Sequence, residues 1–202
     1  MNIKAATQSN IKKAADIIRH GGIVIYPTET VYGIGCDPHN QKATEKINQI
    51  KGRTGKPLPL ICSNLQTAQD HAELNFQALK LADHFWPGPL MLILPAKGIH
   101  PHAVTQGQTT IGLRVPGSQI SRQLAEHSGG CIVSTSANKS GQPPATTAQE
   151  AAKQLGIMVD MILDGGPTLG DRASTILDIT GHKPRILRKG PVSLEDINKI
   201  LG

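Results

Sequence analysis

Apolar residues recur at helical spacing over residues 10–20, NIKKAADIIRH. There Ile11, Ala14, Ala15, Ile17 and Ile18 share one face, with Asn10 placed to cap it and Gly21-Gly22 placed to end it. The run GIVIYP that follows reads as a buried strand closed by Pro27. A second helix is predicted over 41–51, with Ala43, Ile47 and Ile50 inward, then a short buried strand over 58–62. Residues 64–85 read as one helix stopped by the turn Trp86-Pro87-Gly88-Pro89. Aliphatic runs at 90–96, 109–116 and 131–137 predict three strands, with a helix near 118–127 and another at 146–155. Strands are predicted again at 158–166, 174–180 and 184–190. The closing helix, 193–201, opens on Ser193 with Asp196 three residues on, a capping pattern.

Strands and helices mix without strict alternation, so the expected architecture is α/β, a twisted mixed, partly antiparallel sheet with surrounding helices. The 202 residues suit one domain able to bury a core without disulfides or metals. Aromatic residues make up only 2 % of the chain, so the core must be aliphatic. So few rings also speak against a stacking platform for single-stranded nucleic acid. The formal charge of +6 favours a polyanionic partner, either nucleic acid or a phosphate-bearing ligand. No basic tail appears, which points to a lined groove rather than an arm. Cys36, Cys62 and Cys131 form no CxxC or Cys/His zinc spacing and read as reduced thiols. The polar first residues carry no apolar signal core, and no run nears the ~20 apolar residues of a membrane span. A cytoplasmic location with no membrane partner is therefore expected.

Four polar clusters stand at the ends of the apolar strands, where a rigid scaffold displays binding groups. In Pro27-Thr28-Glu29-Thr30-Val31-Tyr32-Gly33, a continued strand would point Thr28 and Thr30 the same way. Thr and Tyr are equally ordinary strand formers. Lys51, Arg53 and Lys56 follow a predicted helix; they suit a phosphate clamp, or simply complement the helix dipole. The stretch from Ser134 to Gly141, STSANKSG, offers hydroxyls and an amide for ribose or phosphate oxygens, but is neither a P-loop nor a nucleophile elbow. Arg114, inside an apolar strand, and Arg188 each need an anion, supplied by an internal carboxylate or by a ligand; Ser174-Thr175 completes this set. The eight histidines are scattered without zinc spacing, and His100 and His102 read as surface residues.

Taken in order, YPTETVYGIG (26–35), KGR (51–53), WPGPLMLIL (86–94), TIGLRVP (110–116), STSANKSG (134–141), STILD (174–178) and ILRKG (186–190) resemble the YrdC/TsaC family of L-threonylcarbamoyladenylate synthases. The resemblance covers essentially the whole chain. It implies a YrdC-like catalytic domain over residues 1–202 with a deep basic groove. It further implies synthesis of threonylcarbamoyl-AMP and pyrophosphate from L-threonine, bicarbonate or CO2, and ATP with Mg2+, for N6-threonylcarbamoyladenosine in tRNA. Carried over by position, Lys51 and Arg53 fall in catalytic places. Thr30, Arg114, Ser134 and Ser174 fall on the threonine; Arg53, Lys56, Thr110, Ser136, Asn138 and Arg188 fall on ATP. Thr28 and Tyr32 lie in the same wall, and no dedicated protein metal site is implied. Many relatives continue after KxR with a DNPLIVH-like stretch whose His faces the threonine. Here GKPLPLIC is one residue shorter, which puts Ile61 or Cys62 in that place. The chain resembles the short, single-domain members, which implies partner proteins that pass the threonylcarbamoyl group to tRNA. Two other classes stay open: a basic module that binds RNA by shape and phosphate contacts, and a paralogue of altered chemistry.

Overall fold

The computed structural model describes residues 2–52, 55–170, 172–181 and 183–202. Two mixed sheets carry the fold. The first has the order β1 (Ile3–Ala5), β9 (Met161–Asp164), β2 (Val24–Tyr26), β3 (Gly33–Gly35), β8 (Thr135–Ser136). The second runs β11 (Arg185–Arg188), β10 (Thr175–Asp178), β5 (Leu90–Pro95), β6 (Thr110–Arg114), β4 (Leu60–Cys62), β7 (Cys131–Val133). Parallel pairs such as β10 with β5 stand beside antiparallel ones such as β5 with β6, as expected for a mixed α/β fold. Two sheets form where one was expected.

The predicted strand over 131–137 divides at Ser134, and this division positions the site. β7 pairs with β4 in the second sheet, whereas β8 pairs with β3 in the first. Ser134 lies at the crossing, its N–H bonded to the Pro59 carbonyl at 2.8 Å, while Val133 N–H reaches Cys36 O at 3.0 Å. The chain thus stitches the two sheets together at one point, and the sheets part beside it.

Helix α1 (Gln8–Arg19) buries Ile11, Ala14, Ala15 and Ile18, and α2 (Gln41–Ile50) buries Ala43, Thr44, Ile47 and Ile50. The cap of α1 is Thr7, whose hydroxyl accepts from Asn10 N–H; Asn10 lies inside the first turn and reaches back to the Ala5 carbonyl. Gly21, at φ 84°, ends the helix in the left-handed region open to glycine. The helix expected over 64–85 is two, α3 (Leu65–His71) and α4 (Phe76–Phe85). Ala72 turns extended and bridges to Ala96, and Asn75 caps a fresh helix by accepting from Ala78 N–H at 2.9 Å. A short α5 (His102–Thr105), then α6 (Gln119–His127), α7 (Ala148–Leu155) and α8 (Leu194–Leu201) complete the set. Ser193 and Asp196 form the expected reciprocal capping box of α8.

The core is aliphatic, as the composition requires; Tyr26, Tyr32 and Trp86 are its buried rings. Glycine in β3 is a packing requirement: a Cβ on Gly35 would stand 2.2 Å from the Val133 carbonyl, and one on Gly33 would meet the Tyr26 ring at 3.1 Å. No helix among the described residues is long and apolar enough to cross a membrane.

Candidate active site

Where the sheets part, a cleft of about 430 Å³, counting space open to solvent, is lined by Thr28, Thr30, Tyr32, Arg114, Ser134, Ser136, Ser174 and Arg188. Val31, Gly33, Pro59, Met91, Thr135, Ala173 and Ile176 complete the wall. Residues from both sheets and from all parts of the chain except its two ends therefore meet in one place. A second cavity shares Pro59, Met91 and Ile176 with the first and carries Thr110, Asp178, Thr180 and Arg185. Thr110 thus lies in a continuation of the cleft along the second sheet.

Thr28 and Thr30 do face the same cleft, but by a turn. β2 ends at Tyr26, and Thr28 Oγ1 accepts from the N–H groups of Thr30 and Val31 at 3.1 and 3.2 Å. This local ring brings the two hydroxyl oxygens to 2.9 Å. Gly170 lies against it so closely that a Cβ would stand 2.7 Å from the Thr30 carbonyl oxygen.

Arg114 is 5 % exposed and held on three sides. Its Nε donates to the Gly88 carbonyl at 2.9 Å, Nη1 reaches Thr30 Oγ1 at 3.5 Å, and Nη2 pairs with Glu29 Oε1. Gly88 belongs to the turn 86–89, whose Trp86-Pro87 bond is cis. Three of the five N–H donors thus have protein acceptors among the described residues, and the others remain in the cleft wall. The anion expected for Arg114 is the internal carboxylate of Glu29. Burial pushes that carboxyl up, but the Arg114 charge and backbone donors outweigh it, so Glu29 lies below the usual carboxylate range.

Arg188 is different. Its Nε and Nη2 bond the carbonyl and hydroxyl of Ser174 at 2.9 and 3.1 Å, and no carboxylate among the described residues pairs with it. Burial, and then the nearby Arg114 charge, hold its pKa below the ordinary value. Two cations therefore share a cleft whose lining, among the described residues, contains no acidic side chain.

Lys51 lies behind the cleft rather than in its lining. It is 3 % exposed and donates Nζ to the carbonyls of Ser136 and Asn138, the latter at 2.8 Å, so its ammonium braces the STSAN loop. Asn138 is also buried; its amide donates to Lys139 O and Gln142 O at 2.9 and 2.7 Å, and its Oδ1 has no partner among the described residues. Lys56 is exposed and outside the cleft lining, and Arg53 lies outside the described residues. Tyr32 contributes its ring to the wall, while its hydroxyl donates to Gly166 O at 2.7 Å; burial pushes the phenol up to about 12.

Ile61 and Cys62, expected where relatives carry a histidine, are both buried in the core; the segment meets the cleft through Pro59. In β4 the alternating side chains pack between layers, which turns that part of the strand away from the ligand space. Glu29 and Gly88 complete the site and were not singled out by sequence reasoning. The signals were present in PTET and WPGP, whose polar and turn residues abut the cleft strands. The histidines are less scattered than their spacing implied: the His71 ring lies 5.5 Å from His100 and 6.0 Å from His39, and Cys131 Sγ is 2.9 Å from His71 Nε2. His100 is half-buried with its Nδ1 enclosed, whereas His102 is exposed. Among the described residues, no three His, Cys, Asp or Glu side chains are arranged to hold a metal ion.

The two sheets of this mixed α/β fold part over hydroxyls and two guanidinium groups, a lining whose chemistry suits small anionic ligands. The chain belongs to the Sua5/YciO/YrdC family, described as "Telomere recombination", which matches residues 16–190. It is 38 % identical over 194 residues to the threonylcarbamoyl-AMP synthase of Pyrococcus abyssi, covering 95 % of this chain and 57 % of that protein. It is 37 % identical over 196 residues to the Bacillus subtilis threonylcarbamoyl-AMP synthase, covering 95 % and 56 %. The crystal structure of P. abyssi Sua5 complexed with L-threonine superimposes with a TM-score of 0.94 at 36 % identity, over 100 % of this chain and 60 % of that one. The chain thus spans little more than half the length of these relatives.

Proposed function

We propose that the chain is an L-threonylcarbamoyladenylate synthase, converting L-threonine, bicarbonate or CO2, and ATP into threonylcarbamoyl-AMP and pyrophosphate. The observation that carries this reading is Arg114: a buried guanidinium, fixed by Gly88, Thr30 and Glu29, with further donors in the wall of a cleft that also holds Arg188. Such a group binds a carboxylate through two directional hydrogen bonds. The name of the P. abyssi relative and the threonine in its structure supply the substrate class.

In this reading Arg114 takes the threonine carboxylate, and the hydroxyls of Thr30, Ser134 and Ser174 surround the rest of the amino acid. The ammonium first loses a proton; the neutral amine then forms an N–C bond to CO2 as one C=O π bond opens onto oxygen, and a second N–H proton passes to solvent to leave the carbamate. A carbamate oxygen then attacks the α-phosphorus of ATP as the bond to the bridging oxygen breaks, and the electron pair leaves with pyrophosphate. Arg188, Ser136, Asn138 and Thr110 hold the nucleotide, joined by Arg53 and Lys56; Lys51 keeps the Ser136–Asn138 loop in shape. Positioning and charge stabilisation do the work, with no covalent enzyme intermediate. Among the described residues the cleft lining offers no carboxylate, and Mg2+ would arrive on the polyphosphate and supply charge neutralisation there. The product then serves partner proteins that modify tRNA, and the basic groove adds weak contact with RNA.

Incubating the protein with 13C-bicarbonate, L-threonine and Mg-ATP tests this. The label should appear as a carbamoyl carbon attached to both threonine and AMP. Its absence while ATP and threonine bind would remove the synthase reading.

A further inference from the structure

The two guanidinium groups of the cleft are not equivalent, and the difference is Glu29. This carboxylate is fixed from two sides: Oε1 accepts from Arg114 Nη2, and Oε2 accepts from Ser118 N–H at 3.2 Å, at the N-terminus of α6. Gly117 makes room for it, since a Cβ there would stand 3.1 Å from the Glu29 carboxyl carbon. Among the described residues, the Arg188 guanidinium bonds only to the neutral oxygens of Ser174. One end of the cleft is therefore close to neutral and the other carries an uncompensated positive charge.

We infer that Glu29 is a specificity-determining residue, which reserves the Arg114 end of the cleft for a monoanionic carboxylate and excludes phosphate groups from it. The proposed reaction brings a polyphosphate and an amino acid into one cavity, and against two bare cations the polyphosphate would win at both ends. Repulsion from Glu29 grows with the charge of the ligand, whereas the paired hydrogen bonds from Arg114 suit a planar carboxylate. The identity of the two substrates rests on the synthase reading; the charge asymmetry does not.

The test measures binding of inorganic pyrophosphate and of L-threonine to the whole chain by calorimetry, in wild type and in Glu29→Gln. Removing one unit charge ~6 Å from the ligand, at an effective dielectric of about 40, is worth about tenfold per unit of ligand charge, so binding of the multiply charged pyrophosphate tightens by at least about tenfold. L-threonine binds more weakly in the same variant, and pyrophosphate becomes a competitor of threonine. Glu29→Asp keeps the charge and loses only the reach, so it retains wild-type pyrophosphate affinity while threonine binding weakens. Unchanged or weaker pyrophosphate binding in Glu29→Gln, or a tenfold gain in Glu29→Asp, overturns the inference. Wild-type protein that binds as described but makes no adenylate would refute the synthase reading and leave the role of Glu29 standing.

Discussion

Replacing Arg114 with alanine should cost stability in a way that depends on pH. The change removes the donor to Gly88 O and leaves Glu29, whose side chain is 22 % exposed, without its cation. Breaking a buried pair by deleting one partner costs about 3–5 kcal/mol. Glu29 keeps its bond from Ser118 N–H and some contact with water, so the lower end, about 3 kcal/mol, applies. For a chain of this size that corresponds to a fall in Tm of roughly 6–12 °C. In the wild type Glu29 titrates below its unfolded value of 4.5, so its contribution is present above that pH and is lost as pH falls through the lowered value. In Arg114→Ala the cation and its bond are lost, two backbone donors are left against burial, which is the largest single influence, and the carboxyl rises from its wild-type value. Its charge then opposes folding at neutral pH and ceases to do so once it is protonated. The gap between the two proteins should be widest at pH 7 and clearly narrower at pH 4. Urea unfolding at both pH values measures it, and Arg114→Ala/Glu29→Gln should recover part of the loss at pH 7. An equal gap at pH 4 and pH 7 would refute the reasoning, because the cost would then come from packing alone.

Lys51→Met removes the ammonium that holds the Ser136 and Asn138 carbonyls, so the KM for ATP should rise at least tenfold while threonine binding changes less; ATP and threonine titrations separate the two. Tyr32→Phe deletes the bond to Gly166 O, and denaturant unfolding should show a loss of about 1–3 kcal/mol with kcat within about twofold, since the hydroxyl is engaged by the Gly165 and Gly166 backbone. Burial pushes the Cys131 thiol up to about 12 and Cys62 well above its usual value, so an alkylating reagent at pH 8 should leave both unlabelled in the native protein and label them after unfolding, as mass spectrometry would show.

Helical periodicity made α1 and α2 readable from the chain, because each buries a face that its own spacing defines, and the Ser193–Asp196 capping pattern marked the start of α8; the cap of α1 was misplaced at Asn10. β1 and β3 were not readable. Three residues of β1 carry no clear alternation and are held by parallel pairing with Ile162–Asp164, far along the chain; β3 is mostly glycine, required by the Tyr26 ring and the Val133 carbonyl. The break between α3 and α4 depends on Ala96, a partner that helical spacing cannot reveal. The site was legible where hydroxyls and cations interrupt apolar strands, which is why Thr30, Arg114, Ser134, Ser174 and Arg188 meet in one cleft. What each does with its donors was not legible. That Glu29 answers Arg114 across 85 residues, and that Lys51 turns to backbone carbonyls, follows from how the sheets and loops assemble.

The central claim is tested most directly by pyrophosphate release from ATP with purified protein at millimolar Mg2+, with L-threonine and bicarbonate added singly and together. Release that requires both is the predicted result. No release under any of these conditions, with salt-sensitive RNA binding that survives Arg114→Ala, would contradict the account and make the protein a binding module that shares the family's fold.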